Sequence, residues 1–153
     1  IGACWNGYFG DCGRAKIAGG PPHPMQKKVY TTVYKSLKAG IEKMRPSYTN
    51  DDSAAEFLEV ARLAGLEENF IKLFIGHGCG ISPNEPPYIG EVMPGAESVE
   101  FKPGMTFAVE PLIFVPGIPG GAGVRIEDHI LITEGEPVYM TRAPYCEELI
   151  EQD

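Results

Sequence analysis

Asp11, His77, Glu110 and Glu127 are residues of types that bind metal ions, and each sits in a tightly constrained setting. Asp11 ends the run Gly7-Tyr8-Phe9-Gly10-Asp11, and His77 lies between Gly76 and Gly78. Glu110 interrupts the apolar stretch from Thr106 to Phe114, and Glu127 falls within Arg125-Ile126-Glu127-Asp128. Three carboxylates and one imidazole suit divalent Mn, Co, Zn or Fe, and two such ions together could drive a hydrolysis. Each residue also has a plainer reading. A buried Glu110 needs a cation, which an arginine, a lysine or a metal could supply. Pro111 holds Glu110 extended and so sets the direction of its side chain. Glu127 could pair with Arg125 across one pleat, and Asp11 could cap its glycine turn. Glycines beside His77 let backbone approach an ion or a substrate, although a histidine there can equally be structural. One shared ion cluster accounts for all four at once.

The elements that must carry these residues follow from periodicity and punctuation. Trp5-Asn6-Gly7-Tyr8 predicts a hairpin turn that delivers Asp11 on its returning strand. Val29, Val33, Leu37 and Ile41 recur every four residues, with lysines mostly on the other face, and predict an amphipathic helix from about Pro24 to Met44. Pro46 ends it. Asn50, Asp51, Asp52 and Ser53 are capping candidates for a second helix to about Leu63, with Ala54, Phe57, Leu58 and Ala61 inward and Gly65 closing it. Met105–Val115, Val124–Glu134 and Pro137–Thr141 then read as single strands. Within the second, alternation puts Arg125, Glu127 and His129 on one face and Ile126, Asp128 and Ile130 on the other. The expected class is α+β, a mostly antiparallel sheet with helices packed on one face.

Composition narrows the function. The formal charge of −8 opposes a nucleic-acid partner, which needs a basic face. Nothing in the sequence has the length and apolarity to span a bilayer as a helix. Cys4, Cys12, Cys79 and Cys146 form no C-x-x-C pair, and free thiols in a cytoplasmic protein are expected. Cys12 and Cys79 read as packing residues, and His23 as a loop residue without chemistry.

Gly7-Tyr8-x-x-Asp11-x-x-Arg14, Gly76-His77-Gly78-x-Gly80, Glu85-Pro86-Pro87, Pro103-Gly104-Met105-x-Phe107-x-Val109-Glu110-Pro111 and Arg125-Ile126-Glu127-Asp128 occur in that order. This series, from about Ile1 to Pro144, resembles the pita-bread metallopeptidase family: Xaa-Pro aminopeptidases, prolidases, methionine aminopeptidases and creatinase. The glycine-proline loop Pro116–Gly123 is similar to the prolidase and creatinase branches. The resemblance implies a dinuclear metal hydrolase cleaving a peptide-like C–N bond, with Asp11 and Glu127 bridging two divalent ions. His77 and Glu110 would complete one ion's shell, a bridging water would be the nucleophile, Glu110 would manage a proton and Arg125 would orient carboxylates. It also implies a small peptide substrate and a homodimer of the full-length protein.

Two departures accompany the resemblance. The family's first metal aspartate would fall one position before Ile1. Residues 1–153 are therefore expected to be the carboxyl-terminal portion of one catalytic domain, truncated at its N-terminus. A second family histidine, seven residues after His77, is here Asn84, which can donate a hydrogen bond but cannot shuttle a proton. That keeps open a creatinase-like hydrolase or lyase acting on a small non-peptide metabolite, and a catalytically incompetent fragment.

Overall fold

A computed structural model describes residues 1–91 and 97–151. The Asn-Gly turn forms as its sequence predicts: Asn6 and Gly7 both take positive φ, the conformation a tight hairpin with native twist requires. Strand β1 (Gly2–Trp5) thereby pairs antiparallel with β2 (Tyr8–Asp11), with Trp5 opposite Tyr8 and Gly2 opposite Asp11.

Helix α1 spans Pro24–Glu42 and buries Val29, Tyr30, Val33, Leu37 and Ile41. His23, in the loop before the helix, has a structural use. Its Nδ1 accepts from the Met25 amide (3.1 Å) and its own amide donates to Gln26 Oε1 (2.8 Å), which closes a capping box at the start of α1. Helix α2 (Asn50–Leu63) is capped by Thr49 instead of by the residues after it. Thr49 Oγ1 accepts from the Asp52 amide while Asp52 Oδ2 accepts from the Thr49 amide. Asn50 is thereby freed to tether the helix, donating to the Tyr88 carbonyl (2.7 Å) and accepting from the Val99 amide (2.7 Å). Gly65, at φ +69°, ends α2, with its amide on the Arg62 carbonyl and the Leu66 amide on that of Ala61.

The two helices touch closely where Gly40 meets Phe57. A Cβ on Gly40 would lie 2.3 Å from that ring, so only glycine admits the contact. Hydroxyls stitch the same interface, Ser36 Oγ to the Phe57 carbonyl and Ser53 Oγ to the Gly40 carbonyl.

Beyond Ile75 the chain builds a five-stranded antiparallel sheet in the order β4-β3-β5-β8-β9: β3 (Gly76–Gly78), β4 (Glu85–Ile89), β5 (Thr106–Val109), β8 (Asp128–Leu131) and β9 (Val138–Tyr139). A separate ribbon pairs β6 (Leu112–Phe114) with β7 (Gly123–Arg125). Two expected long strands are therefore each divided. Met105–Val115 breaks at Glu110-Pro111, where the proline has no amide for a ladder and the Glu110 amide turns to the Ile75 carbonyl (2.7 Å). Val124–Glu134 breaks at Ile126 and Glu127, between β7 and β8. Both breaks fall at candidate ligands. Val29, Phe57, Phe101, Phe107, Ile113, Ile126 and Ile130 share one core.

Candidate metal centre

Three elements deliver three of the four candidate ligands to one point. His77 is the middle residue of β3, Glu110 follows β5 directly, and Glu127 precedes β8. Register explains the convergence, because β3 pairs with β5 (His77 opposite Ala108) and β5 with β8 (Val109 opposite Asp128). Ligand atoms of His77, Glu110 and Glu127 all lie within 4.8 Å of one another. All are sheltered from solvent, His77 at 3% and Glu127 at 6% exposure.

Asp11 comes from the hairpin, outside that trio. Backbone bonds from the hairpin carry it to the sheet: the Phe9 amide to the Gly80 carbonyl (2.7 Å), the Asp11 amide to His129 Nδ1 (3.2 Å), and a bridge between Gly13 and Glu127. Its carboxylate is close enough to act on Glu127 electrostatically. The Ile1 amino group stands 3.4 Å from Asp11 Oδ1.

The electrostatics are those of a crowded anionic site. Burial, then the negative charges of Glu110 and Asp11, push the Glu127 carboxyl up to about 7. Burial alone would lower His77. The Glu110 carboxylate 3.3 Å from Nε2, the Gly78 carbonyl 3.0 Å from Nδ1 and the charge of Glu127 outweigh it and hold the imidazole above its usual value. Arg125 reaches Glu110, Nη1 to Oε2 at 2.9 Å, and does not neutralise Glu127 across a pleat as alternation suggested. The divided strand is the reason, since Arg125 ends β7 while Glu127 lies beyond it, bridged to Gly13 just before β8.

This donor set fits divalent cations on its own chemistry. Carboxylates held together with a neighbouring imidazole, one of them driven toward protonation by its neighbours, present the charge excess that a cation offsets.

The glycines about His77 have a different use from the one their pattern suggested. A Cβ on Gly76 would come within 2.9 Å of the Ala108 carbonyl oxygen, and one on Gly78 within 2.7 Å of that of Glu85. They admit the flanking strands. Asn84 is exposed just before β4, its carbonyl accepting from Ser82 Oγ (3.0 Å). His129 is buried, and burial lowers its pKa, so it stays neutral and accepts from the Asp11 amide. All four cysteines are free, and burial pushes the Cys79 thiol to about 11, which makes it inert.

The model for metallopeptidase family M24 matches residues 1–134. The chain belongs to this family. Among curated relatives, an Xaa-Pro dipeptidase from Pyrococcus furiosus is 31% identical over 142 residues, covering 93% of this chain and 38% of the relative. A probable dipeptidase PepE from Mycobacterium tuberculosis is 34% identical over 139 residues, with 91% and 35% covered. Among solved structures, the prolidase from Pyrococcus furiosus superposes with a TM-score of 0.82 at 31% identity, covering 94% of this chain and 40% of that one. A dipeptidase from Pyrococcus horikoshii gives 0.82 at 38%, with 94% and 38% covered. A methionine aminopeptidase from Rickettsia prowazekii, 21% identical with a TM-score of 0.71, shares the fold. The architecture is the pita-bread fold, and the chain spans less than two fifths of the length of those curated relatives. Among the described residues no helix is long and apolar enough to cross a membrane.

Proposed function

We propose that this M24 family member belongs to a dinuclear metal-dependent hydrolase that cleaves a peptide-like C–N bond, with Xaa-Pro peptides as the substrate class. The observation that carries the reading is the convergence of His77, Glu110 and Glu127 within 4.8 Å. The printed names of relatives, Xaa-Pro dipeptidase among them, support the substrate class.

In this reading His77, Glu110 and Glu127, with Asp11 from the neighbouring hairpin, would hold the ions. The ions, when bound, supply positive charge that polarises the scissile carbonyl and makes a water nucleophilic near neutral pH. The protein's own groups do the rest. Glu110, oriented by Arg125 at 2.9 Å, takes and returns a proton. Asn84, exposed at the mouth of β4, donates a hydrogen bond to the substrate without titrating. Residues 1–153 form one portion of a larger catalytic domain, and a cytoplasmic homodimer belongs to the same proposal.

The test is release of the amino-terminal residue from Xaa-Pro dipeptides by the full-length protein, stripped with chelator and reloaded with Mn²⁺, Co²⁺, Zn²⁺ or Fe²⁺. Turnover with a reloaded ion supports the reading. Turnover of small non-peptide amides alone would move it to the creatinase-like reaction, and metal binding without any turnover would reject hydrolysis.

A further inference from the structure

Glu127 stands between two strands of different sheets, so something must hold its backbone. Its amide donates to the Gly13 carbonyl (2.9 Å) and its carbonyl accepts from the Gly13 amide (3.2 Å), a two-residue bridge. That bridge sets where a side chain crowded within 4.8 Å of the His77 and Glu110 ligand atoms leaves the backbone.

Arg14 covers that bridge. Its Nη1 donates to both carbonyls, Gly13 at 2.8 Å and Glu127 at 2.6 Å. Its Nη2 donates to Asp128 Oδ1 (2.7 Å) and the Ala143 carbonyl (2.8 Å), and its Nε to the same Ala143 carbonyl (3.2 Å). Every guanidinium nitrogen is therefore engaged. The far side is anchored as well. The group lies 4.4 Å from the centre of the Tyr145 ring, and the Tyr145 hydroxyl donates to Asp128 Oδ2 while accepting from Lys38 Nζ (2.8 Å) on α1. Asp128 is wholly buried and Arg14 is 17% exposed, so water competes little for these bonds.

We propose that Arg14 is a positioning residue for Glu127 in the metal centre. It clamps the Gly13 and Glu127 carbonyls with one nitrogen and the next carboxylate, Asp128, with the other. The Glu127 carboxylate is thereby held at a set separation from Asp11, two residues ahead of Gly13. The inference rests on the metal-ligand reading of Asp11, His77, Glu110 and Glu127. A planar fork is required because one group must face two carbonyls and a carboxylate together, which a lysine ammonium cannot reproduce. Gly13 belongs to the same device. A Cβ there would press on Glu127 Cβ and Oε2 at 3.1 Å.

The experiment compares the full-length wild type with Arg14→Lys, Tyr145→Phe and Gly13→Ala, by calorimetric titration of the chelator-stripped protein with Mn²⁺ and by amide hydrogen exchange without metal. Arg14→Lys keeps a positive charge beside Asp128. Its Mn²⁺ affinity is expected to fall about 10- to 100-fold, the range for lost supports of metal ligands. The Gly13 and Glu127 amides should exchange faster while those of β5 are unchanged. Tyr145→Phe leaves every guanidinium bond in place and should bind Mn²⁺ as the wild type does. Should Arg14→Lys fail to fold, Gly13→Ala disturbs the bridge without touching the Asp128 pair and is expected to lose Mn²⁺ affinity. Wild-type affinity in Arg14→Lys, or in Gly13→Ala, overturns the proposal, as does an equal loss in Tyr145→Phe, which would mean general destabilisation. A wild type that binds no Mn²⁺ overturns the metal reading itself, and this proposal with it.

Discussion

Without metal, the stability of this protein should fall as pH rises through neutrality, and Glu127→Gln should abolish most of that fall. Burial beside Glu110 and Asp11 moves the Glu127 carboxyl from an ordinary 4.5 to about 7 in the folded state. The folded protein therefore binds the Glu127 proton more tightly than the unfolded chain does. Stability from this group is complete below 4.5 and is lost as pH climbs through 7. At about 1.4 kcal/mol for each tenfold change in proton affinity, the total is on the order of 3 kcal/mol, of which about 2 falls between pH 5 and pH 7.5. Glu127 is 6% exposed, so solvent screening removes little of this. His77, also raised, loses stability in the same direction above its usual value, and Glu127→Gln separates the two contributions. The assay is urea unfolding of chelator-treated protein at pH 5 and pH 7.5, followed by far-ultraviolet circular dichroism. The wild type should weaken by about 2 kcal/mol across that interval and Glu127→Gln by much less, leaving the variant the more stable of the two at pH 7.5. Saturating Mn²⁺ should reverse that order, because a ligand of the folded state stabilises by mass action and the variant lacks one carboxylate. A wild-type stability that is flat from pH 5 to 7.5, or a less stable metal-free Glu127→Gln at pH 7.5, would refute the reasoning.

Gly40→Ala should destabilise the protein despite alanine's better helix propensity. Its Cβ would sit 2.3 Å from a fully buried Phe57 ring, and overpacking of about 1–3 kcal/mol exceeds the roughly 1 kcal/mol that propensity returns, which thermal unfolding will read as a lower Tm. Thr49→Ala should cost about 1 kcal/mol by removing the side-chain acceptor for the Asp52 amide, measured as a lower urea midpoint at unchanged slope. If the proposed peptidase activity holds, Asn84→His should raise turnover of Xaa-Pro dipeptides on the order of tenfold or more and introduce a new limb near pH 6–7 in the pH–rate profile. An unchanged rate and profile would remove proton transfer from that position.

Much of the fold was legible because its signals are local. The four-residue spacing of Val29, Val33, Leu37 and Ile41 placed α1 to within two residues, and Asn6-Gly7 placed the first hairpin. The caps were less legible. His23 serves in a box that Ser or Thr usually opens, and Thr49 outcompeted the polar run after it because only Thr49 lies outside the helix with extended backbone. The division of the strands is not legible in the hydropathy pattern of the sequence, because an apolar run continues past Glu110 and alternation continues past Glu127 while the hydrogen bonding does not. Pro111 signalled the first break; nothing local marked the second, which depends on pairing with distant Gly13.

By itself the sequence determined which residue types were available for metal chemistry and, through five ordered motifs, the family to which the chain belongs. It did not determine partners. That Arg125 meets Glu110, that His129 holds the Asp11 amide, and that Arg14 clamps Glu127 are contacts between residues 15 to 118 positions apart. Only the antiparallel register, which sets His77 opposite Ala108 and Val109 opposite Asp128, brings His77, Glu110 and Glu127 to one point. The physical reason is range: turns and helices are encoded by neighbours a few residues away, whereas a metal site is encoded by how separately formed strands are hydrogen-bonded together.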